Sequence, residues 1–325
     1  MKIRTLSLLA MLWGLVTSPA QSAEGGFYSG PIGGSDIRSA ILSTPGSMAF
    51  NFSFAPQFSN LYAGPNGKPS QTAPSVAFFA QSIPAGLSYV YPFTFDGGKF
   101  GSKIQDQYSF ACYRKGPKSQ CDSGFSDPYT DLLIYSKFVG LFGAKPPPSD
   151  SHHLKLPYGL TIAPAFSMSI PLGRYNSTQM LNQGHNTWIF IPNIAATYIT
   201  GPNLSIGDAT ELDTRLYYQT SSDNPRSGYR NGDTFVADFA LTERVHYWQF
   251  GVAGTVATAT TDDTRHQVPV PVNGNRLYDL LLGPVVQVDV PALRASFGLK
   301  SLLEVGSHNR LGHNLILLRS TWTLF

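Results

Sequence analysis

Two stretches in the C-terminal third constrain this chain more than anything else in it. From 234 to 247, one set of alternate positions holds Phe235, Ala237, Phe239, Leu241, Val245 and Tyr247, while the other holds Thr234, Asp238, Thr242, Arg244 and His246. From 293 to 305, Leu293, Ala295, Phe297, Leu299, Leu303 and Val305 alternate with Arg294, Ser296, Lys300 and Glu304. A period of two means β-strand, because successive side chains point to opposite faces. A soluble sandwich tolerates such two-sided strands. An outer-membrane barrel requires them, with the apolar face toward lipid and the polar face toward the lumen.

The composition favours the barrel. Charged residues make up 13% of the chain and aromatics another 13%, whereas a soluble domain carries about 25% charged residues. Aromatic girdles at the two membrane interfaces account for such a balance. Lys2 and Arg4, the apolar run 7–16 and the small residues Ser18, Ala20, Ser22 and Ala23 form a secretory signal over 1–23. That run of about ten residues is too short for a spanning helix, which needs roughly 20. No later stretch is long and apolar enough to span as a helix, and only helices and closed barrels satisfy the backbone in lipid. Removal of the signal takes away Lys2 and Arg4 but no acid, so the formal charge falls from +3 to +1. No basic patch remains for nucleic acid.

Cys112 and Cys121 are the two cysteines, and in an exported chain they imply a disulfide. Gly-Pro lies between them, so 113–120 reads as a turn inside a small closed loop. Neither cysteine has histidine or a second cysteine pair at metal-ligand spacing. Residues 24–46 are rich in Gly, Ser and Pro and have no period, which suits either a tail or a plug folded into the lumen.

Twelve candidate strands fill 47–325, at 48–62, 76–93, 103–114, 129–142, 159–172, 187–200, 206–220, 235–248, 250–260, 277–290, 293–305 and 314–325. The sixth is apolar on both faces. Links after odd strands are mostly long and polar, and links after even strands are mostly short, as in barrels with long extracellular loops and short periplasmic turns. The Pro-rich link 143–157 breaks that rule and leaves ten or fourteen strands open as alternatives. The chain ends on Phe325, a terminal residue that barrel-assembly machinery reads, although Leu318, Trp322 and Leu324 are out of step with it.

Several short motifs then point to a family. They are Ala23-Glu-Gly-Gly26, Ser169-Ile-Pro-Leu-Gly-Arg-Tyr175 and Asn182-Gln-Gly-His-Asn-Thr-Trp-Ile-Phe-Ile-Pro192. To these are added Tyr217-Tyr218 followed by Asn224 and Ser227-Gly228-Tyr229, then Leu282-Gly-Pro284, and Asn309-Arg-Leu-Gly312. Together they resemble the outer-membrane proteins of the meta-pathway of phenol degradation family. The chain departs from that pattern in its cysteine pair, its Pro-rich link and its Ser-Ile-Pro-Leu-Gly segment. The resemblance implies passage of hydrophobic or aromatic compounds across the outer membrane, and it carries no defined functional residues with it.

The residues themselves offer little catalytic chemistry. His152 and His153 are adjacent in the Pro-rich link and read as solvated rather than as metal ligands. A lipase-like enzyme on a barrel would need a serine-histidine arrangement, and no Gly-x-Ser-x-Gly elbow is present. No cofactor or metal is expected. The candidate lumen-lining residues are Asp213, Arg215, Asp238, Arg244, His246, Asp279, Asp289, Arg294, Lys300 and Glu304, which either select solutes or fill a narrow barrel with ion pairs. The expected protein is an antiparallel transmembrane β-barrel in outer-membrane lipid that admits a small hydrophobic, aromatic solute. A non-conducting structural or adhesive barrel is the alternative. A soluble periplasmic sandwich is a further one.

Overall fold

Long two-faced segments separated by turn-forming residues close on themselves here. The computed structural model describes residues 24–25, 37–71, 75–145, 157–204, 207–271 and 273–325. The signal segment 1–23, the histidine pair 152–153 and the prolines 146–148 lie outside them. Twelve strands form the wall: β1 (Met48–Ser59), β2 (Val76–Phe95), β3 (Gly98–Lys115), β4 (Tyr129–Gly140), β5 (Gly159–Ser169) and β6 (Ile189–Thr200). They continue as β7 (Ala209–Ser221), β8 (Thr234–Val245), β9 (Trp248–Ala259), β10 (Tyr278–Val290), β11 (Ala295–His308) and β12 (Asn314–Thr323). Each pairs antiparallel with its neighbour in sequence, and β12 pairs with β1 to close the barrel. Closure leaves no open sheet edge within the wall, which is the condition for crossing lipid.

The alternation reads directly onto the wall. On β8 the inward set includes Thr234, Val236, Asp238 and Thr242, each 2% exposed or less, while Phe235 and Leu241 are exposed on the outer face. On β1, Phe50, Phe52 and Phe58 point outward and are exposed. β6 shows the same strict alternation even though both faces are apolar: Ile189, Ile191, Ala195 and Ile199 are buried while Phe190 and Ile194 are exposed. The interior of this part of the barrel is a packed core, so polarity does not distinguish its two faces.

Connectors are long at one end of the barrel and mostly short at the other. At the turn end β2–β3, β8–β9 and β10–β11 are joined by tight turns at 96–97, 246–247 and 291–294. Phe325 lies there too: Met48 N–H donates to Phe325 O at 3.1 Å, and Leu324 N–H donates to Met48 O at 2.8 Å. At the loop end, short ladders cap the barrel, one joining 229–230, 264–265 and 268–269, and one joining 62–63 with 310–311.

Cys112 and Cys121 form the expected disulfide, with Cα atoms 4.0 Å apart and a turn at 116–117 between them; the residues flanking that turn are strand, so the two are cross-strand partners in a hairpin. β3 runs on past the wall to Lys115, turns at 116–117, and pairs with an extra strand, Lys118–Phe125. β2 pairs with β3 over the same height, so a three-stranded flap rises at the loop end.

Candidate functional site

The interior is divided into a filled side and an open side. On the filled side, Ile189 and Ile191 of β6, Tyr217 of β7, Val236 of β8 and Ala257 of β9 form an apolar cluster inside the wall. A second cluster joins Ala240, Ala253, Leu281, Val285 and Leu302 across β8–β11. Ion pairs are set among these apolar layers. Arg215 Nη2 donates to Asp131 Oδ1 at 2.8 Å and Arg215 Nε donates to Asn193 Oδ1 at 2.9 Å. Tyr129 adds its hydroxyl to Asp131 at 2.8 Å. Asp238 accepts from the Tyr217 hydroxyl at 3.2 Å and from Thr255. Asp279 lies 3.0 Å from Arg310. Buried carboxylates need such partners, since an unpaired one costs several kcal/mol.

A segment from before β1 lies against this inner wall. Ile37 joins the second apolar cluster. The Arg38 backbone N–H donates to Asp213 at 2.9 Å, and its guanidinium donates to both oxygens of Asp289 at 3.0 Å. Arg244 reaches the same Asp289 at 2.9 Å. Ser136 donates to the Ala40 carbonyl at 2.6 Å, and Lys99 donates to the carbonyls of Leu42 and Ser43 at 3.1 Å. Further along, at the loop end, Glu24 accepts from Tyr175 and Arg265 at 3.0 Å, and Gly25 N–H donates to Asn231 at 3.0 Å. Residues 24–25 and 37–43 are therefore held at different heights inside one barrel.

Opposite lies the open side, formed by β12 and β1–β4. A cavity of about 890 Å³ extends from Leu181, Asn182 and His185 at the loop end to Pro291 and Arg294 at the turn end. Its wall mixes uncharged polar side chains, among them Ser53, Gln57, Ser82, Gln105, Gln107 and Ser109, with apolar ones such as Phe78, Tyr89 and Leu317 and with several charged ones. Ser82 and Ser109 face each other at 2.8 Å. At its upper rim Asp127 accepts from the His185 ring at 3.1 Å and from the Gly173 amide at 2.8 Å. Burial works to raise the Asp127 carboxyl, and the His185 contact and the two backbone amides outweigh it and hold it below the ordinary range. Across the loop end, Asp263 is raised, because burial and the neighbouring Asp262 exceed the help it receives from Gly232, Tyr229 and Asn275.

The structure places the ten sequence candidates in three settings. Asp213, Arg215, Asp238, Arg244, Asp279 and Lys300 are buried inside the wall. Asp289 and Glu304 are partly buried, the former between Arg38 and Arg244 and the latter beside Ser307. His246 and Arg294 are turn residues. His246 was expected on the polar face of a strand, but β8 ends at Val245, and His246 takes a left-handed backbone (φ 53°) with its side chain 71% exposed near Asp208. Arg294 closes the 291–294 turn, also left-handed (φ 48°), and is exposed at the mouth of the cavity. The sequence reading missed Arg38, Lys103, Asp131, Glu211, Arg310 and Arg319. Asp131 escaped because a bulge between Asp131 and Leu133 shifts the inward parity of β4. Lys103 had a usable signal, since Lys103, Gln105 and Gln107 alternate with Ile104 and Tyr108.

On the outer face an apolar recess of about 410 Å³ lies among Phe54, Trp248, Val286, Phe297, Leu299 and Leu318. Gln287, Arg319 and Ser320 border both this recess and the lumen cavity. Gly298 lies between Gln287 and Arg319 in the strand register, so the wall is thin there.

A closed antiparallel barrel with a lipid-ready apolar exterior and a charged interior defines the outer-membrane β-barrel class. The chain belongs to the family described as the MetA-pathway of phenol degradation, whose model matches residues 78–319. No curated protein matches it. Among solved structures it is similar to an outer membrane channel from Pseudomonas putida F1, at 12% identity and a TM-score of 0.69, over 89% of this chain and 99% of that one. The transport unit of the autotransporter AIDA-I from Escherichia coli matches at 9% identity and a TM-score of 0.50, over 89% and 93% of the two chains. The β domain of the Bordetella autotransporter BrkA matches at 8% and 0.50, over 86% and 100%. These likenesses concern the fold.

Proposed function

We propose that this protein is an outer-membrane channel for passive uptake of small hydrophobic, aromatic compounds, with a role in transport rather than catalysis. The observation that carries the reading is the cavity along β12 and β1–β4, which reaches residues at both ends of the barrel. Membership of a phenol-degradation family supports an aromatic cargo, and the likeness to the Pseudomonas putida outer membrane channel supports the transport role. In this reading the described residues 37–46 act as a plug within the lumen, anchored by Arg38 on Asp289. Outer-membrane lipid surrounds the apolar exterior, Phe325 serves recognition by the barrel-assembly machinery, and 1–23 directs export. The test is conductance in a planar bilayer, on protein refolded in detergent, with and without phenol or toluene. Discrete channel events perturbed by the aromatic are expected. Folded, heat-modifiable protein that never conducts would overturn the channel reading and leave the structural or adhesive barrel.

The outer recess favours a second route for the most apolar cargo. Its separation from the lumen at Gly298 is a single row of the wall, so an apolar solute has a short path from lumen to lipid there. Gly298→Leu would fill that row. Because the new side chain also meets Arg319, bilayer conductance serves as the reference: a fall in toluene uptake in cells clearly larger than the fall in conductance is the result expected if this exit is used.

A further inference from the structure

The open side of the lumen carries more fixed positive than negative charge. Among the described residues lining it, the cations are Arg38, Lys103, Arg215, Arg294 and Arg319, and the carboxylates are Asp127, Asp131 and Asp289. Asp36, the one charged residue between Gly25 and Ile37, lies outside the described residues, and counting it would still leave the balance positive. Each lining carboxylate is already engaged: Asp289 by Arg38 and Arg244, Asp131 by Arg215, and Asp127 by His185. Lys103 is placed differently. It is half-buried, faces the cavity, and stands in register with Asp131 on the neighbouring strand. The charges acting on it are Asp131 together with the guanidiniums of Arg215 and Arg319. Lys103, Arg215, which pairs with Asp131, and Arg319, which donates to Gln287 at 2.8 Å, therefore stand around one carboxylate on the cavity wall.

Fixed charge inside a low-dielectric wall attracts the opposite ion and repels the like one, and rings of Lys and Arg make pores anion-selective. A neutral aromatic can use only the apolar part of this lining, such as Phe78, Tyr89 and Ile134. An aromatic anion can use that part for its ring and gains an ionic contact with the cations as well. We infer that the lumen selects small organic anions, so that aromatic compounds cross it as carboxylates or phenolates, with Lys103 and Arg319 forming the anion site. This inference rests on the channel reading above and names the form of the cargo.

The test is the reversal potential of the refolded full-length chain in a planar bilayer under a KCl gradient, repeated with potassium benzoate. Chloride and benzoate should both permeate better than potassium. The double variant Lys103→Gln/Arg319→Gln should lower the anion-to-cation permeability ratio by about threefold or more. Arg294→Gln, at an exposed turn that the fold does not depend on, should lower it by less, and keeps the test open if the double variant fails to fold. Conductance perturbed by toluene but without anion preference would overturn this inference and leave the channel standing. An anion preference that survives in both folded variants would overturn the assignment of the site. Folded protein that never conducts would overturn the channel and this inference together.

Discussion

The two sides of this barrel share one wall geometry and differ in what their inward side chains weigh. Across β6–β9 the interior holds Ile189, Ile191, Tyr217 and Val236, with Arg215 paired where this core meets the cavity. Across β1–β3 the corresponding positions hold Ser53, Ser82, Gln105 and Ser109. A barrel of twelve strands is narrower than the 16- to 18-stranded porins with their aqueous channels. Its bore is therefore set by side-chain volume. Large inward residues make a core that stabilises the wall, and small ones leave a path along it. Charge alone does not mark the path, since the most deeply buried ions belong to the filled side.

The comparison can be broken most forcefully at Arg215. Replacing it with Met leaves Asp131 buried beside hydroxyls and no guanidinium, which should cost about 3–5 kcal/mol, the range for breaking a buried ion pair. Gln105→Met on the open side should cost less than about 1 kcal/mol, as substitutions at solvated positions do. Urea unfolding in detergent micelles measures both, and equal losses would erase the distinction between core and path. The converse experiment enlarges the open side. Ser109→Phe places a ring in a cavity with room for it, so the 1–3 kcal/mol of overpacking expected in a filled core should be absent. Bilayer conductance should nevertheless fall by roughly fivefold, because the bore narrows where ions pass. A stability loss with unchanged conductance would assign Ser109 to the core instead.

Arg38 sits between the two sides, which makes it the next sharpest probe. Its ties to Asp213 and Asp289 hold the segment before β1 against the inner wall, and its field comes from Glu211 as well. Arg38→Gln removes the charge but keeps hydrogen-bonding capacity, and should loosen the segment without unfolding the barrel. Single-channel recordings should then show larger or noisier openings, by about twofold for a partly released obstruction. Unchanged openings would mean that residues 37–43 do not limit the bore.

Much of this architecture was legible because a membrane wall forces the simplest of patterns. The twelve strands followed from alternation in β1, β7, β8, β10 and β11, and from connector lengths. Where alternation weakened, the cause is visible. β6 faces a packed core, so Ile191 inside and Ile194 outside look alike in sequence. In β4 the bulge puts Leu132 and Leu133 both on the exposed face and moves the inward set from Asp131 to Ile134 and Ser136. The interior partners were the least legible part. Arg38 lies in an aperiodic stretch, and nothing local links it to Asp289, 251 positions away. His246 looked like a strand residue because β8 and β9 are joined by only two residues, and alternation carries on through the turn. The division into filled and open sides depends on which strands bring large residues inward at the same height, and that is a property of register across strands rather than of any one strand.

The smallest effect concerns the rim where the open side meets the loops. Asp127 holds Gly173 and His185 through backbone amides and the His185 ring, joining the 170–188 loop to the start of β4. Its carboxyl is held below the ordinary range when the loop is in place. A carboxyl with a depressed folded value contributes stability that is fully present above its unfolded value of about 3.9 and is lost as pH falls through the folded value. Acid should therefore release the loop while the wall, held by its ladders, stays intact. Amide hydrogen exchange at Gly173 and His185 should speed up below about pH 4, with exchange in β6–β9 unchanged. In Asp127→Asn that acid step should vanish, since the group no longer titrates, and the loop should exchange faster at neutral pH because the Gly173 and His185 amides lose their carboxylate acceptor. Exchange that accelerates in the wall at the same pH would mean that the rim and the filled side open as one unit, and would remove the last distinction between them.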